Sequence, residues 1–288
     1  MAFGPALSVA RMHSTTPLGL FSISSILLVG TLTLLPVSAS DAVGVFGAAD
    51  HDSEPVGNAP LTRPHLIDDA FADVIVRLQG HVCTGTPITG TVYVVTAAHC
   101  VLTDSGAVAQ RTIVRDHHRY PAVAVLVDTE YFEHPSEERD VAVLIMAHAI
   151  PGPSARVGSS LPDSGQVTLA GYQPMDSDGT LLRGSGTNHH PLPQAAIGTP
   201  NVLPYGPAGC VASVQSLEVS AARVIVPCGL VPGASGGGLF TVDNGELVLV
   251  GILSTVTADQ SANGVVPLAS LHELLEHPDR YAHGFHGA

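Results

Sequence analysis

Short runs of β-branched and aliphatic residues, separated by turns rich in glycine and proline, recur from residue 72 onward. Runs of this length without a long helical period predict β-strands. Within the second half, residues 173–200 have little apolar periodicity and many Gly, Ser, Asp and Pro residues, which predicts an exposed loop. The pattern as a whole predicts an all-β fold of antiparallel barrels. The predicted strands are 72–78, 91–95, 122–127, 166–172, 217–219, 223–226, 240–242 and 246–253.

Two local signals predict where elements begin and end. Asp243-Asn244-Gly245 lies between two apolar runs and predicts a tight hairpin turn. Ser270 followed by Glu273 has the pattern of a capping box, and leucines follow at helical spacing. A short C-terminal helix is therefore predicted to open at this box, with Leu271, Leu274 and Leu275 on its apolar face.

Residues 1–40 have the composition of an export signal. Arg11 is followed by no Lys, Arg, Asp or Glu until Asp41, and the centre is apolar. Val37 and Ala39 predict cleavage after Ala39, and Ser40 and Ala42 offer a second choice. An uncleaved membrane anchor is the alternative, but serine, threonine and glycine interrupt the apolar stretch, so secretion is favoured. The predicted organisation is a signal peptide at 1–39, a flexible leader or propeptide-like segment at 40–71, and one folded domain at 72–288.

Composition narrows the classes of partner. The 288 residues include 11 basic residues, all Arg, against 25 acidic ones, for a net charge of −14. No basic patch is visible, so no nucleic-acid partner is predicted. The acidity is consistent with solubility or with attraction of cationic substrates, and solubility is the favoured interpretation. We expect a monomer with no stable membrane partner.

Four cysteines in an exported chain predict two disulfides, because oxidising compartments permit them. Four cysteines allow three pairings, and the spacing alone does not choose among them. The cysteines do not have the spacing of a zinc site, so we predict no metal and no cofactor.

Three fragments carry candidate chemistry. His99 lies in Thr-Ala-Ala-His-Cys, Asp140 precedes an apolar run, and Ser235 lies in Gly-Ala-Ser-Gly-Gly. A serine hydroxyl is a poor nucleophile until a base takes its proton, and that base needs a third group to hold its tautomer. Together the fragments predict Ser235 as the nucleophile, His99 as the general base and Asp140 as the orienting acid.

The same fragments, in the same order, are found in the secreted chymotrypsin/trypsin-like serine peptidases, which residues 72–276 resemble. The order His, Asp, Ser distinguishes this family from subtilisin-like enzymes and α/β-hydrolases. The resemblance implies two antiparallel six-stranded β-barrels with a short C-terminal helix, a polypeptide substrate and an acyl-enzyme intermediate. It also implies that the backbone amides of Gly233 and Ser235 form the oxyanion hole.

The resemblance further implies a disulfide between Cys83 and Cys100 beside the catalytic histidine, which leaves Cys210 and Cys228 as the second pair. It places Ser254 at the start of the strand that pairs with substrate backbone, with its hydroxyl near Asp140. An ordinary serine at a strand end is the alternative interpretation of Ser254.

Several positions depart from the family pattern. Gly229 occupies the place of the pocket-floor aspartate of trypsin-like members, so cleavage after Arg or Lys is not implied. Val256 stands where open-pocket members have glycine, which favours a small S1 pocket and small aliphatic P1 residues. Ala234 replaces the aspartate that pairs with a newly cut amino terminus, and no Ile-Val-Gly-Gly start occurs near residue 74. Any activation therefore needs another route.

The residues predict an exported serine endopeptidase, and two other functions remain open. Ala234 and the unusual approach at 227–232 also fit a protease-fold binding protein that has lost turnover, although such a protein has no chemical need for all three residues of the triad. The same nucleophile also fits an esterase.

Overall fold

The apolar runs form short strands throughout the described part of the chain. The computed structural model describes residues 64–79, 83–103, 106–175, 181, 205–257 and 261–284. The α-helices are Asp69–Val74, Thr129–Glu133, Leu268–Glu276 and Pro278–Tyr281, and 3-10 turns lie at Ala98–Val101, Glu137–Arg139 and Val214–Ser216. The strands are β1 His65–Leu66, β2 Val76–Gln79, β3 Cys83–Pro87, β4 Tyr93–Thr96, β5 Thr112–Arg115, β6 His118–Val127, β7 Ala142–Met146, β8 Arg156–Val157, β9 Gln166–Pro174, β10 Tyr205–Ser213, β11 Glu218–Val219, β12 Val224–Val226, β13 Gly238–Asp243, β14 Glu246–Val256, β15 Asn263–Pro267 and β16 Ala282–Gly284.

The first sheet closes into a six-stranded antiparallel barrel. Its strands follow the order β6-β5-β2-β3-β4-β7, and β7 pairs back with β6. The short C-terminal strand β16 adds to β6 from outside this ring. Closure leaves these six strands without a free edge, which is one of the ways that antiparallel sheets avoid unpaired backbone groups.

The second sheet is a half-barrel. Its order is β1-β10-β9-β13-β14-β15-β12-β11, with β8 paired in parallel to β14. The disulfide Cys210–Cys228 joins β10 to the segment just after β12, and so links two strands that lie far apart in the sheet order. The predicted all-β, double-barrel fold is confirmed, as is the C-terminal helix.

Three apolar cores hold the fold together. One fills the first barrel and one lies inside the second sheet. The third joins strands of both sheets, with Val143 on one side and Phe240 and Ile252 on the other. The helix Leu268–Glu276 inserts Leu271 and Leu274 into this third core. Burial of these side chains fixes the two sheets against each other and brings their loops together.

Two local expectations were wrong. Residues Asp69–Val74 form a helix, so the strand predicted at 72–78 begins only at Val76. Val74 ends this helix and is buried in the core between the sheets, and this tertiary packing overrides its β-propensity, whereas Ile75 is already extended. The C-terminal helix begins at Leu268 rather than at a capping box, and Ser270 Oγ instead donates to the Glu138 carbonyl at 2.7 Å.

The hairpin turn was predicted correctly. Asn244 and Gly245 adopt φ values of 52° and 83°, and Asp243 pairs with Glu246 across the turn. Asparagine and glycine tolerate this left-handed conformation better than other residues, which explains the strength of the signal.

The predicted signal peptide and the first part of the leader, up to residue 63, lie outside the described residues. The predicted exposed loop at 173–200 is described only at 173–175 and 181, and its predicted start is wrong, because Gln173 and Pro174 still belong to β9 and are buried. In the described ranges, the helices are too short or too polar for any of them to cross a bilayer.

Candidate active site

His99 lies on the 3-10 turn Ala98–Val101, directly after β4. Arg111, only 5% exposed, reaches this turn from the approach to β5. Its guanidinium donates to the carbonyls of Cys100 and Leu102 at 2.7 and 2.6 Å. Because the last carbonyls of a helical turn have no partner within the turn, Arg111 satisfies them and fixes the segment after His99. No motif around Arg111 signals this role in the sequence.

Asp140 links the two sheets at this point. Asp140 follows the 3-10 turn Glu137–Arg139 and is only 3% exposed. Oδ1 accepts a hydrogen bond from the His99 amide at 2.9 Å, and Oδ2 lies 2.7 Å from His99 Nδ1. Ser254 Oγ, on β14 of the second sheet, donates to the same Oδ2 at 2.5 Å. The carboxylate thus has three contacts of 2.9 Å or less with His99 and Ser254, two of them with His99.

The electrostatics of the pair follow from this geometry. Burial by itself raises the pKa of Asp140, but His99 and the hydrogen bonds from His99 and Ser254 outweigh it, so the pKa is lowered. Burial lowers the pKa of His99, yet the charge and hydrogen bond of Asp140 outweigh that effect and raise it. The nearby Tyr131 has its pKa raised by burial and by Asp140, so it stays a neutral hydroxyl. Asp140 is thus held as a carboxylate facing an Nδ1–H.

Ser235 lies on a loop of the second sheet that begins at Gly233, whose φ is +115°. The backbone N–H groups of Gly233 and Ser235 donate no hydrogen bond to any described residue. The other three amides of the loop 233–237 donate to backbone carbonyls at 2.7 to 3.2 Å: Ala234 to Val231, Gly236 to Leu253, and Gly237 to Ala234.

The Ser235 loop and the His99 turn meet at the first disulfide. Cys100 Sγ lies 3.6 Å from His99 Nε2 and 3.7 Å from the Ser235 carbonyl oxygen. Across the described residues, no hydrogen bond joins the Ser235 side chain to the His99 ring. The structure thus forms the Asp140–His99 pair directly and places the backbone of Ser235 beside it.

Both disulfides implied by the resemblance are present, Cys83–Cys100 and Cys210–Cys228. Ligand atoms of Cys83, His99 and Cys100 lie within 4.8 Å of one another. Zinc is bound by thiolates, whereas both of these sulfurs are joined to each other. The cluster is therefore a disulfide beside a histidine.

The predicted substrate-binding positions lie on two neighbouring segments. Gly229 is half-buried and follows Cys228, while Ser254 and Val256 belong to the end of β14. The pairing of β14 with β13 ends at Ile252 of β14, whereas the pairing of β14 with β15 continues to Val256. In the described chain, the last residues of β14 therefore keep one edge free of a strand partner.

Asn263 ties these two segments together. It is 1% exposed, and its Oδ1 accepts from the Leu230 amide at 2.9 Å. Its Nδ2 donates to the carbonyls of Leu230 at 3.0 Å and Thr255 at 3.3 Å. The side chain thus holds the residue after Gly229 against the strand that carries Ser254. The sequence does not predict this role for Asn263, because a single asparagine before a glycine gives no signal of burial.

Comparisons with known proteins agree with this fold. Residues 83–252, more than half of the chain, match the family model described as a trypsin-like peptidase domain. No curated protein sequence matches the chain. A solved Glu endopeptidase in complex with MPD superposes with a TM-score of 0.52 at 14% identity, covering 75% of this chain and 96% of that one. A thermostable serine protease from an extremophilic microorganism also gives 0.52 at 14% identity, covering 73% and 99%. At such identities the structures establish the shared fold alone, whereas the family match extends over most of both barrels: the chain belongs to the trypsin-like peptidase domain family.

Proposed function

We propose that this chain is an exported serine endopeptidase in which Ser235 is the nucleophile, His99 the general base and Asp140 the orienting acid. The observation that carries the proposal is the double contact of the buried Asp140 carboxylate with His99, to Nδ1 at 2.7 Å and to the amide at 2.9 Å. A carboxylate at Nδ1 keeps the proton on that nitrogen and leaves the Nε2 lone pair available as a base.

The reaction proceeds in two balanced halves. Ser235 Oγ attacks the carbonyl carbon of the scissile bond while its proton passes to His99 Nε2, and the carbonyl electron pair moves to oxygen. The C–N bond then breaks, and the leaving amine takes the proton from Nε2. Water attacks the acyl-enzyme by the same route, releases the carboxylic acid product and restores the Ser235 hydroxyl.

We assign the developing oxyanion to the backbone amides of Gly233 and Ser235. This assignment is supported by the loop geometry, since three other amides of the loop donate inward while the described residues offer these two no acceptor. An amide that is not engaged within the protein is available to an oxygen that gains charge in the transition state. One such donor contributes about 3 kcal/mol to catalysis.

Substrate backbone is assigned to the free edge of β14 at 254–256, where an extended peptide can add as a further strand. Gly229 has no side-chain carboxylate that could pair with a basic side chain, which argues against Arg or Lys as the P1 residue. Val256 narrows the entrance, and we therefore propose small aliphatic P1 residues in a polypeptide substrate.

We further propose that the chain is secreted as a monomer. The support for secretion is the predicted signal peptide at 1–39 together with two disulfides, which persist in oxidising compartments. Residues 40–71 would then form a leader and 72–288 the peptidase domain. The chemistry as written uses only side chains and amides of this chain, so it needs no cofactor.

Covalent labelling of the secreted full chain tests the proposal. A fluorophosphonate probe is expected to label the protein at Ser235, with Ser235→Ala abolishing the label and the exposed-site control Ser160→Ala leaving it intact. Mass spectrometry of the labelled form also gives the mature amino terminus. A folded protein that resists the probe but binds a partner tightly would be a protease-fold binding protein. Turnover of simple esters but not of a peptide library would identify an esterase.

A further inference from the structure

Thr84 makes a set of hydrogen bonds that the proposed chemistry does not use. It is fully buried on β3 of the first barrel. Its amide donates to the Ser235 carbonyl at 2.8 Å, and its hydroxyl donates to the Gly233 carbonyl at 3.0 Å. The hydroxyl also accepts from the Tyr172 amide at 2.8 Å, and the Thr84 carbonyl accepts from Thr96 Oγ1 at 2.7 Å. Every polar atom of Thr84 is therefore engaged, and two of its bonds end on the Ser235 loop.

These two bonds hold the carbonyls on either side of Ala234. Gly233 has a φ of +115°. Glycine adopts positive and negative φ values about equally well, so this residue does not by itself fix the loop conformation. A peptide group is planar, so fixing the Gly233 and Ser235 carbonyls also fixes the N–H groups of Ala234 and Gly236. The peptide between these two, whose N–H belongs to Ser235 and is assigned to the oxyanion, is therefore held between two fixed peptide planes. A loop that begins with such a glycine needs an external partner to keep its amides in one orientation.

Ala234 does not provide a charged partner. The residue is fully buried, and it packs so closely on Gly171 of β9 that a Cβ built at Gly171 would lie 2.7 Å from the Ala234 Cβ. This contact is apolar and restrains the position of the loop without orienting its peptide groups. Thr84 of the other barrel adds a polar restraint beside this contact, since its hydroxyl donates to the Gly233 carbonyl and accepts from the amide of Tyr172, the residue after Gly171.

We infer that Thr84 is the positioning residue that holds the Ser235 loop in its oxyanion-binding conformation. Its two hydrogen bonds to the Gly233 and Ser235 carbonyls, called the lock below, need no contribution from a new amino terminus. This inference rests on the proposed function, because it assigns a purpose to the same loop. It explains how a chain with Ala234 at the position before the nucleophile can keep its loop ordered. The chain is then competent as soon as the two barrels pack together.

Three single variants separate positioning from simple stability. Thr84→Val keeps the shape and the amide but removes the hydroxyl, whereas Thr84→Ser keeps the hydroxyl. Thr86→Val is the matched control, since Thr86 is also a buried threonine of β3 and the described residues give its Oγ1 no hydrogen-bond partner. For each variant kcat and KM are measured on a peptide substrate, and hydrogen exchange is measured by mass spectrometry over 229–240.

We expect Thr84→Val to lower kcat about tenfold to hundredfold with little change in KM, because only the transition state uses the oriented amides. Hydrogen exchange over 229–240 becomes faster in the same variant. Thr84→Ser restores kcat to within a few-fold of the wild type, and Thr86→Val changes neither readout. Extending the amino terminus of the mature protein by two residues leaves kcat unchanged.

Thr84→Val also removes the acceptor of the Tyr172 amide. Should that variant fail to fold, Thr84→Ala tests the same lock, because it also removes the hydroxyl and leaves room for a water molecule at the Tyr172 amide; kcat is then expected to fall about tenfold. Wild-type kcat and wild-type exchange in a folded variant that lacks the Thr84 hydroxyl would overturn the inference, as would a large loss of kcat on extending the amino terminus. If the wild type resists a fluorophosphonate probe but Thr84→Val still accelerates exchange in the loop, the proposed function fails and the lock stands.

Discussion

Ser254 and Asp140 join the two barrels through one short hydrogen bond, in which Ser254 Oγ donates to Asp140 Oδ2 at 2.5 Å. Ser254 belongs to β14 of the second sheet, while Asp140 lies just before β7 of the first. The same oxygen lies 2.7 Å from His99 Nδ1. The position of the carboxylate relative to His99 therefore depends on how the two barrels pack.

Ser254→Ala removes one of the three donors that fix the carboxylate. A hydrogen bond to a charged group contributes about 1.5–3 kcal/mol, so we expect kcat/KM to fall by at least about tenfold. The Asp140 pKa should rise, because its charged form loses a partner. Steady-state kinetics on a peptide substrate measure the loss. Ser160→Ala, at an exposed position, is the control, and an unchanged kcat/KM in Ser254→Ala would show that the bond is only structural.

The raised pKa of His99 predicts the acid limb of the activity profile. Neutral His99 is the active base, so kcat/KM falls as the pH drops through the histidine pKa. Because Asp140 raises that pKa above its ordinary value of 6.5, the midpoint of the limb should lie above 6.5. Asp140→Asn removes the charge and the tautomer control, which should lower the rate about 10⁴-fold and shift the limb to lower pH. A wild-type midpoint at or below 6.5 would contradict this account.

The sequence was most informative where the signal is local. The fragment around Ser235, the β-branched strands and the Asn244-Gly245 turn are each recognisable within a few residues. Thr84, Arg111 and Asn263 were not identified, since their roles depend on carbonyls that the fold brings near. Thr84 and Gly233 are 149 residues apart in the sequence, and Asn263 and Leu230 are 33 apart. No spacing rule distinguishes a buried threonine or asparagine from an exposed one in the same pattern.

Asn263 offers a test of the pocket wall. Asn263→Ala leaves the amide and carbonyl of Leu230 without their side-chain partner, and a buried unsatisfied group costs about 1–3 kcal/mol. Asn263→Asp has nearly the same shape and keeps an acceptor for the amide, but it replaces the donor with an oxygen that faces two carbonyls. We therefore expect both variants to lower the free energy of unfolding in urea and to raise KM for the preferred peptides, with Asp at least as disruptive as Ala. A stable Asn263→Asp protein with wild-type KM would contradict this role.

The two disulfides form a matched pair, because they close loops of 17 and 18 residues. Loop-closure entropy then predicts the same loss for each double alanine variant, about 3 kcal/mol in the free energy of unfolding. Their surroundings differ, since Cys100 Sγ lies within 3.7 Å of both His99 Nε2 and the Ser235 carbonyl, whereas Cys210 lies in the core of the second sheet. Removing Cys83–Cys100 should therefore lower kcat of the folded enzyme as well as its stability, while removing Cys210–Cys228 should lower stability with kcat nearly unchanged. Urea unfolding and kcat measured well below the melting temperature separate the two effects. An equal loss of kcat in both variants would mean that the first disulfide acts only by holding the chain together.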